Sequence, residues 1–160
     1  MKYKIIAFSK IAHGTCFAAA INWLLHLDWS DGQVNTFQSS YIAGFMSGAS
    51  HLPARYAAQW GVQEHVTPLK AFDSSDARTS FFCSLAVDSQ AQPQFLIGLK
   101  LNTMTHCVGM RKMGSQWQWY DTVSGEISID NANFLEALAK IEQETNQRIH
   151  RFELIWYSKA

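Results

Sequence analysis

Three residues able to do chemistry stand far apart in this chain. They are Cys16 within Gly14-Thr15-Cys16-Phe17, His106 within Thr105-His106-Cys107-Val108-Gly109, and Asp121 within Trp119-Tyr120-Asp121-Thr122. Together they make a nucleophile, a base and an orienting carboxylate. A thiol attacks as its thiolate, which a helix N-terminus and a neighbouring imidazolium favour, while a third group fixes the imidazole. If a helix begins at Cys16, its unsatisfied N–H groups and the positive end of its dipole aim at the sulfur and lower its pKa. The competing reading makes Cys16 one more small buried residue, as free cysteines commonly are.

The elements that must position these groups can be read from spacing. Thr15 is a candidate N-cap, and Ala19, Ala20, Trp23, Leu24 and Leu27 recur at helical steps, which predicts a helix over 16–27 ended by Asp28-Trp29-Ser30-Asp31-Gly32. Val34, Phe37, Tyr41 and Phe45 predict a second helix over 33–48, and Pro53 opens a third over 53–60. Residues 61–80, with Gly61, Pro68 and Asp73-Ser74-Ser75-Asp76, read as mostly irregular. Residues 3–8 suit a strand. Further strands are expected over 81–87, 94–101, 105–110, 116–121, 125–129 and 149–157, with a helix over 131–144. Helices first and strands after imply an α+β domain spanning 1–160, its N-terminal helices packed on a C-terminal antiparallel sheet.

A hairpin gives His106 and Asp121 a reason to meet. With Met113-Gly114 at the centre of the turn, His106 falls directly opposite Asp121. Opposed residues have Cβ atoms about 4.5–5.5 Å apart, within reach of a carboxylate–imidazole hydrogen bond. Alternation puts His106, Val108 and Met110 on the face of Trp117, Trp119 and Asp121. A register slip of one residue would turn Asp121 to the other face. The same pair also suits a satisfied core histidine.

Composition narrows the partners. Thirteen basic and thirteen acidic residues give no net charge, so the basic footprint of a nucleic-acid binder is missing. A chain of 160 residues is long enough to bury about two thirds of its unfolded surface. Cys16, Cys83 and Cys107 form an odd set without framework spacing, the usage of a reducing compartment or a free reactive thiol. No metal is expected: His106 and Cys107 point to opposite faces, no Cys-x-x-Cys occurs, and His13 with Cys16 is an isolated pair. His26, His51, His65 and His150 read as surface or structural residues, and Trp23, Trp117 and Trp119 as core. The N-terminal 27 residues do not read as a signal peptide, because Lys10, His13, Asn22 and His26 interrupt the apolar stretch and no small-x-small site follows. No segment reaches the ~20 apolar residues of a membrane span.

The residues also resemble a family. Gly-x-Cys before a small-residue helix ending in Trp23-Leu24, then Thr105-His106, then Asp121 with Gly125-Glu126 after an aromatic strand, in the order Cys, His, Asp, resemble the YopT/AvrPphB-type cysteine proteases of bacterial effectors and their glutamine deamidase relatives. That resemblance implies a papain-like fold with Cys16 as nucleophile, His106 as general base and acid, and Asp121 as orienting carboxylate. It also implies a protein substrate, no cofactor, and an effector-type route into a host cell without a classical signal peptide, with a cytoplasmic location as the alternative. Such folds keep an amide side chain shortly before the cysteine as an oxyanion donor. Residues 9–13 hold no Asn or Gln, leaving the backbone N–H of Cys16 as one donor and no second.

The expected reaction is acyl transfer through a thioester. A peptide bond as the target makes the chain a protease, and a glutamine side chain makes it a deamidase. From another class, a binding module could keep the scaffold without turnover.

Overall fold

The apolar runs of the second half build a sheet covered by helices on both faces. The structure, a computed structural model, describes residues 15–46, 52–87 and 92–160. Its helices are α1 (Thr15–Leu25), α2 (Asp31–Met46), α3 (Ala54–Trp60), α4 (Ser75–Val87) and α5 (Asn131–Thr145). Its strands are β1 (Val62–Val66), β2 (Lys70–Ala71), β3 (Gln94–Lys100), β4 (Thr105–Met113), β5 (Gln116–Asp121), β6 (Gly125–Ile129) and β7 (Arg151–Lys159). The strand order is β1-β7-β3-β4-β5-β6, with β2 also on β7, and every pairing is antiparallel. This is a mixed helix and antiparallel-sheet architecture, as the α+β expectation had it.

Helices cover both faces, rather than the N-terminal ones alone. Phe95, Ile97, Leu99, Val108, Met110, Trp117 and Trp119 pack with Leu85 of α4 and Phe134, Leu138 and Ile141 of α5. Leu96, Cys107 and Ile155 pack on the other side with α1 and with Val34 and Phe37 of α2. Strands enclosed this way need no polar side, so β3 and β4 are buried without alternation.

Helix α1 is the centre of the second layer. Cys16 through Leu24 are all buried, so the helix is enclosed all round rather than presenting the single apolar face its spacing suggests. Its close seat on β4 depends on Gly109, where a Cβ would stand 2.8 Å from Trp23 Cε3. Thr15, expected as the N-cap, is the first described residue and is already helical, and the strand expected over 3–8 lies outside the described residues.

Two stretches differ from expectation. Residues 81–87 complete α4 instead of forming a strand. Ser74 Oγ accepts from the Ala77 N–H at 3.1 Å to start that helix. Phe81 then meets Phe72 and Phe82 meets Phe134, with ring centroids 5.7 and 5.0 Å apart. Residues 61–80 are not irregular throughout, since β1 and β2 extend the sheet along β7. α5 is the best marked helix: Asp130 and Asn133 form a reciprocal capping box.

No helix among the described residues is long and apolar enough to cross a membrane.

Candidate functional site

Cys16 lies in the first turn of α1 and meets the start of β4. Its sulfur accepts from the Cys107 N–H at 3.4 Å and lies 4.0 Å from the Thr105 carbonyl oxygen. Both contacts are to the residues flanking His106. The nearby backbone N–H groups of Phe17 and Cys16 also favour the thiolate, as the helix-start argument requires. Burial nevertheless outweighs them and pushes the thiol up to about 11, so the resting group is a neutral thiol and not the thiolate expected from the helix position alone. The sulfur is shielded, with Cys16 only 2% exposed.

His106 is fully buried. Neither ring nitrogen has a hydrogen-bond partner among the described residues. Burial lowers its pKa to about 4, so the imidazole is neutral at pH 7. Two buried unpaired nitrogens are costly to the fold unless something else engages them.

Asp121 closes β5 and is also buried. One carboxylate oxygen accepts from the Val123 and Ser124 N–H groups at 2.6 and 2.5 Å, and the other accepts from Trp119 Nε1. Burial raises its pKa while these three hydrogen bonds pull it down. The carboxylate thus organises the turn between β5 and β6 and makes no hydrogen bond to His106.

The hairpin register explains this separation. Met113 pairs with Gln116 around a Gly114-Ser115 turn, with Gly114 at φ 64°, and the ladder runs to Gly109 opposite Tyr120. Continued one row, it sets Val108 opposite Asp121. His106 is then a diagonal neighbour, about 7–8 Å away in such geometry. The turn sits one residue later than expected, a slip of two in the pairing, so the shared face survives and the direct opposition does not. Val108, Met110, Trp117 and Trp119 do lie together on that face.

Several neighbours escape sequence reading. Trp23 Nε1 donates to Glu126 Oε1 at 2.7 Å, and the Arg111 guanidinium covers the Trp23 ring at 3.8 Å while donating to the Trp23 carbonyl at 2.9 Å. Glu153, 7% exposed, pairs with Lys100 at 3.3 Å in space left by Gly98, in the row that continues to Cys107. Cys107 itself faces α1, a placement that strand alternation and the position of α1 together could have given. Among the other histidines, His26 bonds Arg111, His65 stacks on Trp156, and His150 bonds Asn102. His13 and His51 lie outside the described residues, among which no group of three or more His, Cys, Asp or Glu could hold a metal ion.

No family profile and no curated protein matches the chain. Among solved structures, it is similar to that of the Pseudomonas avirulence protein AvrPphB, at 13% identity and a TM-score of 0.59 over 94% of this chain and 96% of that one. At that identity the likeness speaks for architecture, and the chain shares the overall fold of AvrPphB over that span.

Proposed function

We propose that this chain is a cysteine-dependent hydrolase on a papain-like scaffold, a protease acting on a protein substrate, with Cys16 as nucleophile, His106 as base and acid, and Asp121 as the third member. The observation that carries the reading is the seat of the Cys16 sulfur against the backbone on both sides of His106, at the start of a buried helix. The fold shared with AvrPphB supports it.

The resting thiol and imidazole are both neutral, so the first step is proton transfer from Cys16 to His106. Catalytic hydrogen bonds often tighten only in the substrate complex, and here the start of β4 must rearrange as substrate enters, because at rest His106 shares the face of Leu99 and Val108 while the sulfur lies with Cys107 on the other. The thiolate then attacks the amide carbonyl. Its oxyanion meets the N–H groups of Cys16 and Phe17, which supply two backbone donors without an amide side chain. His106 protonates the leaving amine, then deprotonates the water that hydrolyses the thioester. Asp121 holds the β5–β6 turn at rest and orients the imidazole once it has moved. A glutamine amide would follow the same steps to a deamidated product. The AvrPphB likeness also supports an effector-type protein, and the reading is completed by action on a host protein after delivery by a non-classical route.

A specific observation favours a second reading. His106, unpartnered among the described residues, and the self-contained Asp121 turn suit a binding module that keeps the scaffold without turnover. Labelling with a limiting peptidyl epoxide separates the two. The hydrolase reading expects Cys16 to be modified in preference to exposed Cys83 and to lose that preference in His106→Ala. Equal labelling of Cys16 in both proteins contradicts it.

A further inference from the structure

We propose that Cys16 and Cys107 form an oxidative modification site at which peroxide converts the two thiols to a disulfide. The Cys107 thiol has no part in the acyl-transfer steps, which use its N–H at most. Yet it is the second sulfur on the α1 face of β4. Cys16, Cys107, Leu96 and Ile155 belong to one apolar cluster between helix and sheet. The Cys16 sulfur stands 3.4 Å from the Cys107 amide nitrogen. The Cys107 Cα is one bond of about 1.46 Å further, which puts it within about 5 Å of that sulfur. In a disulfide a sulfur is joined to the partner Cα through the S–S bond of about 2.05 Å and two further bonds, at most about 4.5 Å away, so a small side-chain rotation brings the two sulfurs into bonding reach. Each thiol is raised by burial, and Cys107 further by Cys16 and by the Glu153 carboxylate. Oxidation therefore quickens as pH rises.

The chemistry balances with peroxide as the oxidant. The Cys16 thiolate attacks one peroxide oxygen, the O–O bond breaks, and Cys16 becomes a sulfenic acid as the other oxygen leaves as water. The Cys107 thiolate then attacks the Cys16 sulfur, the S–O bond breaks, and a second water leaves as the S–S bond forms. Two thiols lose two electrons and the peroxide gains them. The product removes the free Cys16 thiol until a dithiol reduces it. No substrate is involved, so the modification stands or falls apart from the hydrolase reading.

The test uses full-length Cys83→Ser protein, which removes the one exposed cysteine among the described residues. After hydrogen peroxide, denaturation and alkylation, intact mass and peptide mapping are expected to show Cys16 and Cys107 lost together, a mass lower by two hydrogens, one cross-linked peptide pair, and full recovery with dithiothreitol. Adding Cys107→Ala or Cys107→Ser should instead drive Cys16 to sulfinic acid that dithiothreitol does not reverse. Sulfinic Cys16 beside an alkylatable Cys107 in the Cys83→Ser protein would overturn the proposal. So would the absence of a cross-link when both thiols have reacted. The Cys83→Ser result decides even if the Cys107 variants fail to fold.

Discussion

The Cys107 N–H donates to the Cys16 sulfur over 3.4 Å, tying the first turn of α1 to the start of β4 beside His106. A buried helix start is thereby registered on a strand whose other neighbour, β5, carries Asp121. His106 and Asp121 lie near one end of the β4–β5 hairpin on the face covered by α4 and α5, the Cys16 sulfur lies with Cys107 on the α1 face, and the hydrogen bonds of a working triad are unmade.

Burial of His106 predicts acid sensitivity. The unfolded histidine titrates near 6.5 and the folded one near 4, so between those values the unfolded chain binds more protons and stability falls as pH falls. The full loss is about 3 kcal/mol, on the order expected for such a shift. Asp121, raised by burial, works in the opposite direction over lower pH, so the test is a difference. Urea midpoints across pH 4–7 should slope less in His106→Gln than in the wild type.

Gly109 predicts a steric cost. Its added Cβ would lie 2.8 and 2.9 Å from two atoms of the Trp23 ring, which is itself held by Glu126 and Arg111 and cannot yield freely. Gly109→Ala should lose about 1–3 kcal/mol by urea unfolding, with α1 displaced from β4.

Asp121 predicts a structural loss distinct from catalysis. Asp121→Ala removes the acceptor of three hydrogen bonds and leaves the buried Trp119 indole N–H unsatisfied. Thermal or urea unfolding should show a loss of about 2–4 kcal/mol. Asp121→Asn, which keeps one carbonyl oxygen for the turn, should lose less.

Much of the frame was legible because the periodicities were strong. Ala19, Ala20, Trp23 and Leu24 marked α1, and the aromatic alternation of residues 116–121 marked β5 with its buried face. Residues 81–87 misled because Phe81, Phe82 and Val87 have strand-like composition, while the i,i+4 pair Phe81 and Leu85 carried the helical spacing that packing selects. The hairpin register was wrong by one turn position because Met113 pairs in the ladder and Gly114, at positive φ, begins the turn. The acidity expected of Cys16 failed for a reason no local pattern carries: the helix that supplies the N–H groups is enclosed on every side. Cys107 and the buried Glu153–Lys100 pair depend on which helix covers which face, a long-range outcome.

Profiling of new protein N-termini and glutamine-to-glutamate conversions tests the central reading most directly. A cell lysate is treated with the wild type, Cys16→Ala or His106→Ala, each checked for folding. The account predicts a reproducible set of new N-termini with the wild type that both variants lose. Products that persist with Cys16→Ala, or no new N-terminus and no conversion with the wild type, would contradict it.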